Sequence, residues 1–192
     1  MNLANRITVA RIFLVPVIMF FLLVNLNLPS IKIDQFSITL NQIVAVLIFI
    51  VAASTDSLDG YIARKHKLIS NLGKLLDPLA DKLLVTSVLV SLVDMGKLDA
   101  WIAIVIISRE FAVTGLRSIC AAEGKVLAAS KLGKWKTGAQ ITAIIALLLN
   151  NFPFTFINFP FDLIASWFAA IITIYSGIDY FVKNWHIIQF NH

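Results

Sequence analysis

Residues 56–81 hold the side chains best able to do chemistry in this chain. They read Asp56-Ser-Leu-Asp59-Gly60-Tyr-Ile-Ala63-Arg64, then eight residues, then Gly73-Lys-Leu-Leu-Asp77-Pro-Leu-Ala-Asp81, and they contain four of the eleven acids. Apolar runs at 43–53 and 83–93 flank them. An acid at the centre of a membrane-spanning helix costs about 2.5–3.5 kcal/mol, so acids clustered beside such runs need a use. On a helix, Asp56 and Asp59 share a face, as do Asp77 and Asp81, and Gly73 lies four residues before Asp77 on the same side. The short connection between the two helices predicts antiparallel neighbours with four carboxylates facing one cavity. Gly60 and Gly73 then permit close backbone approach, or let a phosphate reach the backbone. Four like charges in a low dielectric require counter-charge. Arg64 supplies one positive charge, and hard divalent cations with all-oxygen ligands, Mg²⁺ or Mn²⁺, would supply the rest. Two such ions a few ångström apart are a device for phosphoryl displacement.

Composition sets the surroundings. The chain has 192 residues, enough for one domain, with 59% hydrophobic and 14% charged residues and a net charge of +5. Its mean hydropathy of +0.87 predicts an all-α integral membrane protein rather than a soluble one. The single cysteine, Cys120, excludes an internal disulfide and any cysteine-based metal site. No cleavable signal peptide is expected, because the first apolar run is long and no small-residue cleavage site follows it. The positive charge suits anionic lipid; no nucleic-acid partner is expected.

The elements that must position the acids follow from the apolar runs. Six spans are predicted, near 12–28, 39–64, 70–95, 101–122, 138–150 and 162–182, the fifth beginning earlier, near Lys131. Residues 2–11 predict a short interfacial helical turn leading into the first span, where Asn5, Thr8 and Arg11 recur every three residues. Pro16 and Pro78 fall inside spans, where a proline bends or interrupts the helical ladder. Residues 29–38, 96–99 and 151–161 read as outer connections. Of the 16 Lys and Arg, only Lys32 and Lys97 fall on them. The positive-inside rule therefore puts both termini and the acidic stretch on the cytosolic side of a multi-pass cell-membrane protein. In span four, Arg109 and Glu110 should face the protein interior, and Arg109 and Arg117, eight apart, should point the same way. Lys131, Lys134 and Lys136 form a basic group beside them.

The string Asp56-x2-Asp59-Gly60-x2-Ala63-Arg64-x8-Gly73-x3-Asp77-x3-Asp81 matches, at all eight fixed positions and every gap, the signature of the CDP-alcohol phosphotransferases, which the chain resembles. The resemblance implies an integral membrane enzyme that displaces CMP from a CDP-linked lipid with two divalent metals held by Asp56, Asp59, Asp77 and Asp81. It makes Asp81 the base that takes the acceptor's proton. It assigns Asn5, Thr8, Arg11, Gly60, Ala63, Arg64, Ser70 and Gly73 to the CDP-lipid, and it implies a homodimer among membrane lipids. Arg109, Arg117 and Lys134 offer a site for a second anion, which favours a phosphorylated acceptor. With Asn5-x2-Thr8-x2-Arg11, Arg109-Glu110 and Gly133-Lys134-x-Lys136-Thr137, the chain is most similar to family members that join CDP-diacylglycerol to sn-glycerol 3-phosphate. Serine, inositol phosphate and phosphatidylglycerol are the competing acceptors. An ion-coupled transporter is the competing class, but it would carry paired halves and mid-span breaks.

Overall fold

The structure, a computed structural model, describes residues 3–24, 26, 28–33, 36–66, 71–122 and 131–184; for residues 3–7, 56–66, 71–78, 81, 122 and 131 it describes the backbone alone. Six α-helices carry the described chain: α1 Leu3–Leu23, α2 Leu40–His66, α3 Asn71–Asp94, α4 Ala100–Ala122, α5 Lys131–Leu148 and α6 Phe161–Lys183. The predicted interfacial turn is no separate element: α1 runs as one helix from Leu3, with Pro16 inside it. The helix α3 likewise runs through Pro78. α6 is long and apolar enough to cross a membrane, and the apolar stretches Thr8–Leu23 and Leu40–Thr55 are shorter.

Packing follows the apolar faces. Val15 and Ile18 of α1, Ala45 and Phe49 of α2, Leu84 and Val88 of α3, Ile102 and Ile106 of α4, and Ile144 and Leu148 of α5 share one core. α1 packs on both α2 and α3, which also touch each other, while α6 packs on α4 and α5. The buried face of α6 is made of small residues, Ala165, Ser166, Ala169, Ala170, Thr173, Ser176 and Gly177, ending at Tyr180. Small side chains let neighbouring backbones approach closely where lipid gives no hydrophobic drive. Gln140 Nε2 of α5 donates to Thr173 Oγ1 of α6 at 3.1 Å, so this buried amide is satisfied within the bundle.

The connection expected as a plain loop is an antiparallel hairpin, β1 Ser30–Ile33 with β2 Phe36–Thr39, pairing Ser30 with Thr39 and Ile33 with Phe36. Its four-residue strands alternate apolar and polar, a pattern too short to stand out within a greasy sequence. Phe36 and Ile38 are buried, whereas Ile31 and Ile33 are exposed. The Phe36 ring meets Phe152 at 5.1 Å and Phe156 at 6.2 Å. Asn150, held at φ 53°, donates from Nδ2 to Ser37 O at 2.5 Å and to Gln42 Oε1 at 3.3 Å. Lys97 Nζ donates to Asn150 Oδ1 and to Leu147 O. The three connections predicted to lie on one side thus meet at one end of the bundle.

Burial lowers the Lys97 pKa from 10.5 to about 8, opposed by the charge of Asp162. Between those values the folded chain binds fewer protons than the unfolded chain, so stability rises as pH climbs from about 8 to 10.5, and below that window the cost of burying the charged lysine is constant with pH. Thermal unfolding in detergent should show the rise in the wild type and a smaller one in Lys97→Met.

Candidate active site

The helices deliver the acidic motif as two helical segments. Asp56, Asp59, Gly60, Ala63 and Arg64 fall in the last turns of α2, and Gly73, Asp77 and Asp81 fall in the first half of α3. Because both helices are continuous through these positions, the three- and four-residue spacings are one-face spacings on the folded backbone. The motif side chains and that of Asn5 lie outside the described residues, as does Ser70 altogether. Residues flanking the motif are described. Thr8 and Arg11 of α1 are fully buried, and α1 packs on the two helices that bear the acids.

Beside the motif opens a cavity of about 460 Å³. It is lined by Lys82 of α3, by Arg109, Glu110, Val113, Thr114 and Arg117 of α4, and by Gly133, Lys134, Lys136, Thr137 and Gly138 of α5. All three residues expected to meet an acceptor phosphate therefore border one space, and the eight-residue interval between Arg109 and Arg117 does place both on it. Lys82, the residue after Asp81, joins them. A smaller cavity of about 80 Å³ runs from Lys82, Glu110 and Lys136 to Phe49 and Ala53 of α2, one turn before Asp56.

Charge within the cavity is arranged rather than merely accumulated. Glu110 Oε1 accepts from Lys136 Nζ and lies 3.7 Å from Arg109 Nη1, so its main partner is the lysine of α5 rather than the adjacent arginine. Arg109 Nη2 donates to Ser176 Oγ at 2.8 Å. Arg117 Nε donates to Tyr180 Oη at 3.0 Å, with its guanidinium carbon 5.2 Å from the Tyr180 ring centre. Lys134 is exposed. Among the described lining residues five are cationic and one is a carboxylate, a balance that suits an anion, and the planar guanidinium of an arginine can bond two oxygens of a phosphate at once. Sequence reading missed Lys82, Ser176 and Tyr180. Adjacency to Asp81 was the available signal for Lys82; nothing local marked the other two.

Comparisons with known proteins identify the family. The family description "CDP-alcohol phosphatidyltransferase" matches residues 1–175. The chain is 50% identical to a Bacillus subtilis CDP-diacylglycerol–glycerol-3-phosphate 3-phosphatidyltransferase, covering 98% of this chain and 97% of that one. Enzymes of the same name from Rickettsia bellii and Haemophilus influenzae are each 37% identical, over 94% and 93% of this chain and 93% and 91% of theirs. Matches that run from the first residue into the last helix establish that the chain belongs to the CDP-alcohol phosphatidyltransferase family.

Proposed function

We propose that the protein transfers the phosphatidyl group of CDP-diacylglycerol to sn-glycerol 3-phosphate, releasing CMP and forming phosphatidylglycerophosphate. The observation that carries this reading is the cavity in which Arg109, Arg117 and Lys134 meet Lys82, the residue next to Asp81. It would hold an acceptor's own phosphate beside the motif. The names of the near full-length relatives support the same acceptor.

The family uses divalent cations. Four carboxylates at one-face spacing on α2 and α3 are a donor set that fits Mg²⁺ or Mn²⁺, with Asp56, Asp59, Asp77 and Asp81 as the residues that would hold two of them. When bound, such ions supply neutralising charge for the pyrophosphate and for the phosphorus under attack. In our reading Asn5, Thr8, Arg11, Gly60, Ala63, Arg64, Ser70 and Gly73 hold the CDP-lipid, with Arg64 pairing a phosphate oxygen. Arg109, Arg117 and Lys134 orient the acceptor by its phosphate. Asp81 takes the hydroxyl proton as that oxygen bonds to the lipid-side phosphorus and the bond to CMP breaks. The chain works as one membrane domain of six spans and as a homodimer, with both termini and the motif on the cytosolic side.

Purified protein given CDP-diacylglycerol and one acceptor at a time should release CMP with sn-glycerol 3-phosphate. Release with serine, inositol phosphate or phosphatidylglycerol, and none with sn-glycerol 3-phosphate, would reassign the acceptor. Metal-dependent CMP release by the pure protein in detergent also disposes of the transporter reading.

A further inference from the structure

We infer that the last turns of α6 are the positioning element of the acceptor site, with Ser176 and Gly177 seating Arg109 and Tyr180 seating Arg117. The inference rests on the acceptor reading above and extends it to residues beyond 175, where the family match ends. Residues 176, 177 and 180 share the buried face of α6. Tyr180 is 2% exposed, and its hydroxyl accepts from Arg117 Nε at 3.0 Å while its ring lies under the guanidinium. A buried phenol needs a hydrogen-bond partner, and a cation over an aromatic face is attracted to it, so the two contacts fix one geometry. Using Nε for the seat leaves both terminal nitrogens of Arg117 for a ligand.

Arg109 is held differently. Ser176 Oγ accepts from Nη2 at 2.8 Å, and the side-chain stem runs against Gly177, where an added Cβ would lie 3.2 Å from Arg109 Cγ. Glycine lets the α6 backbone pass at that distance. A methyl group there pushes the stem, and the displacement grows along the side chain to the guanidinium. An unanchored arginine has many rotamers to lose on binding. Seating both arginines in advance removes that cost and fixes where the acceptor phosphate, and hence its hydroxyl, must lie. Tyr180 and Gly177 therefore act through the arginines and touch no substrate.

The test is steady-state kinetics on the purified full-length protein carrying Tyr180→Phe or Gly177→Ala, with Arg117→Gln as the reference variant. KM for sn-glycerol 3-phosphate should rise about three- to tenfold in Tyr180→Phe and at least as much in Gly177→Ala, with KM for CDP-diacylglycerol within twofold of wild type. If Arg117→Gln raises the acceptor KM and neither α6 variant does, the positioning role is wrong and the acceptor site stands. If Arg117→Gln leaves it unchanged, the acceptor reading falls and takes the inference with it. Equal losses toward both substrates, with a lowered melting temperature, would make α6 a structural support only.

Discussion

Asp81→Asn should lose about a hundred- to ten-thousandfold in turnover while the protein still binds Mn²⁺. The range is what a positioned general base contributes. Asparagine keeps the size of the side chain and one oxygen but has no lone pair basic enough to take the acceptor's proton. Under the proposed assignment, Asp56, Asp59 and Asp77 remain to hold the metal. Two measurements separate base from ligand: single-turnover CMP release, and Mn²⁺ binding followed by electron paramagnetic resonance. Asp56→Asn and Asp59→Asn should behave in the opposite way, with weaker Mn²⁺ binding and activity partly restored at higher metal concentration. Wild-type turnover by metal-loaded Asp81→Asn would remove Asp81 from the proton transfer.

The second large effect belongs to Arg117. Its side chain borders the cationic cavity and spends Nε on Tyr180. A charged hydrogen bond to phosphate contributes about 1.5–3 kcal/mol, so Arg117→Gln should raise KM for sn-glycerol 3-phosphate about ten- to a hundredfold. KM for CDP-diacylglycerol should stay within twofold. Inorganic phosphate should compete with sn-glycerol 3-phosphate in the wild type and compete more weakly in the variant. Lys134→Gln should show the same pattern with a smaller effect, because an exposed ammonium is a hydrated point charge without the arginine fork. An unchanged acceptor KM in Arg117→Gln, together with unchanged phosphate inhibition, would place the acceptor elsewhere.

Much of the architecture was readable because helical periodicity is a local signal. The expected spans at 101–122 and 162–182 correspond to α4 Ala100–Ala122 and α6 Phe161–Lys183, and the early start near Lys131 is where α5 begins. The shared direction of Arg109 and Arg117 came from the same period and holds in the cavity. Contacts between helices were not readable. That Glu110 belongs chiefly to Lys136 depends on how α4 meets α5, and no spacing along either helix encodes it. The seats at Ser176 and Tyr180 lie 67 and 63 residues from their arginines. The hairpin escaped because four alternating residues are a weak pattern beside long apolar runs. For the four aspartates, sequence supplied the one-face spacing and the continuous helices keep it; the directions of their side chains lie outside the described residues.

The hairpin's anchor has a consequence for biogenesis. Ser37 waits for Asn150, 113 residues further along the chain. Phe36 waits for Phe152 and Phe156. During synthesis those strands emerge long before the loop that completes their packing, so this end of the bundle closes only after the fifth helix has been made. Contacts so distant in sequence form late because the intervening chain must first be ordered. A nascent protein halted before residue 150 would therefore lack the Asn150 bond to Ser37 and leave Phe36 without the two rings that pack on it.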